Sequence, residues 1–144
     1  MTPIRIRVHG RPQTAGSKRA FPFKKKLGGL GVRVTDDNPN SRGWKNTVGY
    51  EVRAAYNGPL LECPIRLTLT FFLARPKHHT GAKGLKPSAP RHVTTKPDLL
   101  KLARAVEDAI TGVVWVDDSQ IVVEKLFKFY GDKEFVDILI EEEF

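Results

Sequence analysis

Asp98 stands directly after Pro97, and Asp117 and Asp118 form a pair just before Gln120, with Lys96, Lys101 and Arg104 between or beside them. Carboxylate oxygens are the ligands that Mg2+ takes, often only one or two from the protein, the rest being water or substrate oxygens. The combination suits attack of a metal-activated water on a phosphodiester. In that chemistry Asp98, Asp117 and Asp118 are the candidate metal ligands and catalytic groups, and Arg104 or Lys101 clamps the phosphate. Taken singly, each acid also has an ordinary structural use, Asp98 as a helix N-cap and Asp117 with Asp118 as a turn before a strand. Asp108 is spaced to pair with Arg104 at i to i+4. A shared site requires the two ends of a helix of about 14 residues, about 21 Å apart, to be brought together. Val113 to Val116 offer a route back along the helix, since four extended residues span roughly 13 Å.

Other constellations are weaker. His78, His79 and His92 have neither a paired cysteine nor helical ligand spacing, which argues against zinc and leaves them to solvent or phosphate. Gly16, Ser17 and Lys18 echo a phosphate loop, but its first glycine is missing and Arg19 replaces the hydroxyl. Cys63 opens a strand beside Pro64 and reads as structural; as the single cysteine it also excludes an intrachain disulfide and fits a reducing cytoplasm.

The elements that must position the acids follow from periodicity. Ile4, Ile6 and Val8 alternate with Arg5 and Arg7 as a first strand, and Ile65 to Leu73 alternate more strictly as the strongest strand. Between them, residues 18–35 carry Lys18, Arg19, Lys24, Lys25 and Lys26 around Gly28 and Gly29, a basic hairpin arm suited to DNA. Trp44, Val48, Val52 and Ala55 mark a first helix, stopped by Asn57, Gly58 and Pro59. Residues 75–96 hold six Lys or Arg, three prolines, two glycines and no acid, so they predict a long exposed loop. Pro97 and Asp98 open a second helix with an apolar stripe from Leu99 to Val113, ended by Gly112. Residues 120–130 and 134–140 predict two strands joined as a hairpin through Gly131, Asp132 and Lys133, and Glu141 to Glu143 a solvated tail. The order predicts one α+β domain over 1–144, a mixed sheet packed against two main helices.

Charge is divided along the chain. Residues 1–97 carry 19 Lys and Arg against 4 acids, and residues 98–144 carry 5 against 12. A basic body suits a polyanion, because each neutralised phosphate releases counterions, although a solvated basic surface is the plainer alternative. The carboxylates of the C-terminal third predict a cation site facing a phosphate backbone. The longest apolar run, Phe71 to Ala74, is far too short to span a bilayer, so neither membrane insertion nor export is indicated.

The string Lys96-Pro97-Asp98-Leu99, then Leu102, Ala105, Val106, Asp108, Ala109, Ile110 and Gly112, then Trp115, Asp117, Asp118, Ser119, Gln120 and Ile121 resembles the RusA family of Holliday-junction resolvases. The family pattern is K-P-D-L-D-N-L, a short helix ending in D-A-L and G, and D-D-x-Q-[IV] before a strand. The resemblance implies a homodimer, in the cytoplasm of a bacterial or phage-infected cell, that binds four-way junctions and cuts them by Mg2+-assisted hydrolysis. It places the first metal-binding Asp on Asp98 and the late essential Asp on Asp118; Lys96 and Lys101, beside Asp98, are the candidate DNA contacts of this segment. Leu100 falls where the family has its second Asp, Lys101 on its Asn and Arg104 on its helix Lys. The Leu100 departure opens the alternative of a branched-DNA-binding protein that does not cut.

Overall fold

The computed structural model describes residues 2–16, 18–26, 28–36 and 38–144, with the side chains of 18–21 and 33–36 outside the description. In chain order the elements are β1 (Ile4–His9), β2 (Lys18–Lys24), β3 (Leu30–Asp36), α1 (Ser41–Ala55), β4 (Ile65–Ala74), β5 (Thr80–Gly81), β6 (Gly84–Leu85), α2 (Leu99–Ile110), β7 (Ile121–Gly131) and β8 (Phe135–Glu142). β1, β8, β4 and β7 form one sheet in that order, parallel between β4 and β7 and antiparallel elsewhere. β2 with β3, and β5 with β6, make two short antiparallel ribbons.

Period-two alternation decides which sheet face is buried. Ile65, Leu67, Leu69 and Phe71 of β4 join Val136, Ile138 and Ile140 of β8 and Ile6 and Val8 of β1 in the core. α1 supplies Trp44, Val48 and Val52, and α2 supplies Leu102, Ala105, Val106 and Ile110. Both helices therefore lie on one face of the sheet. The other face carries Thr68 and Thr70, the Arg7–Asp137 ion pair at 2.7 Å, and a row of rings in which Phe72 stacks on Phe135 at 4.5 Å.

The last two strands are not a hairpin. β4 lies between β7 and β8, so residues 132–134 cross two strand spacings, about 10 Å, a distance three or four extended residues can cover. Glu134 fixes the crossing, its carbonyl accepting from Gly10 N and its carboxylate from Ala74 N. At Gly131 a Cβ would come to 3.1 Å from the Phe72 ring, so a larger residue there requires that ring to shift. The same turn residues serve a hairpin or a crossing; the two open edges of β4 decide between them. Glu141 and Glu142 consequently end a strand inside the sheet, and Glu143 pairs with Arg66 at 2.7 Å rather than trailing in solvent.

Residues 75–96 are more ordered than their composition predicts. Val93 N donates to Lys128 O and Tyr130 N to Arg91 O, so the segment adds a short stretch along the outer edge of β7. Val93 and His79 are buried, His79 against the Tyr130 ring at 4.9 Å, and burial holds the His79 imidazole below its ordinary pKa.

Candidate active site

The two ends of α2 carry different chemistry. At its start, Asp98 is the N-cap, its side chain accepting from Lys101 N at 3.1 Å. The segment before it is held by Lys128 of β7, whose ammonium donates to the carbonyl oxygens of Thr95 and Pro97, both at 2.8 Å. Burial lowers the Lys128 pKa and the nearby Asp98 carboxylate opposes that shift. Ala15 N donates to Lys101 O at 3.0 Å, which lays the chain leading from β1 across this helix end. A cleft of about 630 Å³ results, with Arg11, Arg75, Lys96 and Lys101 around Asp98 and Glu134. Arg75 is aimed by a 2.7 Å bond to Pro90 O.

Beyond the other end, Gly112 takes φ +82°, which ends α2, and its N–H closes a tight turn on Trp115 O at 2.8 Å. Trp115 is fully buried and its indole N–H donates to Thr111 Oγ1. The chain therefore folds under at residues 111–115 and brings Asp118 beside Glu107 and Asp108 in the last turns of α2. Asp117 next caps a single 3-10 turn, Asp118–Gln120, accepting from Ser119 N at 2.9 Å. Gln120 is the staple of this corner. Its Oε1 accepts from Val116 N and Asp117 N, and its Nε2 donates to the carbonyls of Leu61 and Cys63.

Electrostatics distinguish the ends further. The Ser119 amide, and then contact with Asp118, hold Asp117 below the usual carboxylate range, while that same contact pushes Asp118 up. Glu107 of α2 faces Glu124 of β7 and is half-buried; desolvation first, then Glu124, Asp118 and Asp108, raise its pKa to about 8. Asp108 itself pairs with Lys45 of α1 at 3.2 Å rather than with Arg104, because α1 packs along that side of α2.

The residues singled out from the sequence thus fall into separate places. Asp98, Lys96 and Lys101 meet at the basic cleft; Asp117 and Asp118 meet Glu107 and Glu124 at the far end of a 12-residue helix, about 18 Å long. Arg104 is exposed on the arc between them and does not line the cleft. Lys24, Lys25 and Lys26 are exposed on the β2–β3 ribbon, and the Lys18 and Arg19 side chains lie outside the described residues. Glu107 and Glu124 were missed. Their signal was available in β7, where Glu124 and Lys128 share the strand parity of the core-facing Leu126.

The donor set at the Asp118 end is all oxygen and short of cations, which fits a hard divalent ion. Among the described residues, however, no three acidic, histidine or cysteine side chains stand at metal-ligand spacing within one chain. No helix among them is long and apolar enough to cross a membrane.

Comparison with known proteins adds two findings. A family model described as Endodeoxyribonuclease RusA matches residues 12–141. An uncharacterized protein, YqaN of Bacillus subtilis (strain 168), is 27% identical over 145 residues, covering 99% of this chain and 98% of that protein.

Proposed function

The chain belongs to the RusA family of endodeoxyribonucleases, and on that premise we propose that it binds four-way junctions and other branched DNA and cuts them in a Mg2+-dependent hydrolysis. The observation that carries this reading is a basic cleft around Asp98 at the start of α2 together with carboxylates at Asp117 and Asp118, beyond its other end, that make no ion pair among the described residues. Arg11, Arg75, Lys96 and Lys101 bind the phosphate backbone and orient it along the cleft. Lys128 keeps the segment from Thr95 to Pro97 in place, and with it the Asp98 carboxylate. Asp117 and Asp118 are the residues that hold the ion, with Glu107 releasing its proton as the positive charge arrives. A divalent ion bound there supplies charge stabilisation for the phosphoryl and leaving oxygens and lowers the pKa of an attacking water.

The test is a labelled four-way junction incubated with purified protein in Mg2+ and in EDTA. Nicked product is expected with Mg2+ alone. Asp118→Asn is expected to bind the junction and to lose at least about 100-fold in cutting, since a charge-stabilising group is removed. Retained cutting by that variant removes Asp118 from the site. Leu100 supports a second reading, a branched-DNA-binding protein without nuclease activity, because an apolar side chain stands where the family's second Asp belongs. Binding with and without Mg2+, and product in neither, selects it.

A further inference from the structure

Both helices pack on one face of the sheet, and a sheet face left uncovered is ordinarily polar. Here it carries a row of rings instead. His9 stands opposite Phe135, Phe135 opposite Phe72 and Phe72 opposite Phe129, one level of the register across β1, β8, β4 and β7. His92 extends the row from the segment beside the outer edge of β7, where it bridges to Phe129. Successive ring centres along the row are 5.8, 4.5, 5.8 and 4.9 Å apart. At a strand spacing of about 4.8 Å the row is roughly 19 Å long. Phe127 lies one level further along β7, 41% exposed and within 8° of parallel to Phe129. None of these rings is buried, so their contacts with one another do not close a core.

The charges beside the rings favour a polyanion. Arg7 lies 4.1 Å over the Phe135 ring and Arg91 5.1 Å from the centre of Phe129. Asp137 is already held by Arg7 through bonds of 2.7 and 2.9 Å, and Glu143 by Arg66 at 2.7 Å. The exposed side chains of Arg5, Arg91 and Lys125 then stand against Glu141 at the far end of the face. A groove of about 460 Å³ lies beside the row, with Arg5, Thr68 and Thr70 in its lining. Flat rings flanked by cations match an unpaired strand, because any base can stack on a ring while the phosphates between bases meet positive charge. Four-stranded sheets with rings on the open face take two or three bases in this way. A duplex keeps its base faces stacked inside and offers the rings nothing.

We propose that the open face of the sheet is a second nucleic-acid site, which holds two or three unpaired nucleotides of single-stranded DNA. Bases stack on Phe72, Phe127 and Phe129, and phosphates meet Arg5, Arg91 and Lys125. None of these six residues lines the Asp98 cleft, and the face lies on the side of the sheet away from α2. The site therefore stands independently of the nuclease reading.

The test uses fluorescence anisotropy with three labelled probes of about 15 nucleotides or base pairs: oligo-dT, a strand of abasic sites with the same phosphates, and a duplex. Oligo-dT is expected to bind at least about tenfold more tightly than the abasic strand. Phe72→Leu combined with Phe127→Leu keeps apolar bulk but removes two flat surfaces. That variant is expected to lose at least about tenfold in oligo-dT affinity while its affinity for the abasic strand and the duplex is unchanged. Phe127→Trp gives a second readout that does not depend on how well the leucine variant folds. It places an indole on the open face, Trp44 and Trp115 being buried, and its fluorescence is expected to be quenched by oligo-dT and not by the abasic strand. Equal affinity for oligo-dT and the abasic strand means that phosphates alone are bound, by the cleft and the ribbon, and overturns the proposal. So does an indole at 127 whose emission oligo-dT leaves unchanged. A face that binds no oligo-dT, but whose ring substitutions alter sedimentation of the protein, belongs to a protein contact and overturns it equally. Loss of cutting in any of these proteins bears on the nuclease reading alone.

Discussion

Glu107 is the carboxyl driven furthest from its ordinary value, and it shows how one residue links α2 to the rest of the site. Its neighbours are acids on three segments, Glu124 on β7, Asp118 on the 3-10 turn and Asp108 on its own helix, and it is half-buried among them. A carboxyl whose pKa rises on folding stabilises the fold while protonated. That contribution is complete below the unfolded value of 4.5 and is lost as pH climbs through the folded value of about 8. Glu107→Gln keeps the shape and removes the proton equilibrium. In EDTA the variant is expected to melt with a flatter pH dependence between about 4.5 and 8, and to be more stable than the unaltered protein above pH 8. Parallel melting curves from pH 5 to 9 would falsify the crowding of charge at this point.

At the level of elements, α2 is a spacer as much as a support. Its apolar stripe is buried against α1 and the sheet, which fixes Asp98 at one end and delivers the chain to the Trp115 corner at the other. The segment before α2 has no helix or strand of its own, and Lys128 substitutes for one by binding two of its carbonyl oxygens. Lys128→Met removes both bonds and is expected to cost about 1–3 kcal/mol. It should also increase hydrogen exchange across residues 93–98 and weaken junction binding, with Lys128→Arg recovering part of each. Unchanged exchange over that segment after Lys128→Met means that the loop is held by Val93 and the β7 edge alone.

Across the whole molecule, the fold redistributes the charge that the sequence keeps in two blocks. β8 carries acids from the C-terminal third between two N-terminal strands, where Asp137 pairs with Arg7 and Glu143 with Arg66. Asp108 is likewise taken up by Lys45. Three of the twelve acids of the C-terminal third are thereby paired with bases from the N-terminal block. Among the described residues the Asp117, Asp118, Glu107 and Glu124 group makes no ion pair, while Arg75, Lys96 and the exposed ribbon lysines contribute positive charge at the surface. If that surface makes six or more phosphate contacts, DNA affinity should fall roughly 10³-fold between 50 and 200 mM salt. A salt-independent affinity, measured by fluorescence anisotropy on a junction, rules the cleft and ribbon out as the contact surface.

The sequence determined the elements and the family, because both depend on local order. Alternation marks β1 and β4, the apolar stripe marks α2, and the spacing from Lys96 to Ile121 carries the family's signature. Gln120 belongs to that signature for a structural reason that only the fold displays, the stapling of its turn to Leu61 and Cys63. Tertiary structure decided what lies next to what. Turn residues alone could not reveal that β8 crosses over β4, since a hairpin and a crossing need the same short polar link. Composition could not reveal that residues 75–96 dock on β7, because backbone groups make that contact. Nor could spacing reveal whether Asp98 and Asp118 converge. That depended on the chain folding under at Gly112 to bury Trp115, a packing decision that leaves the two acids at opposite ends of one helix.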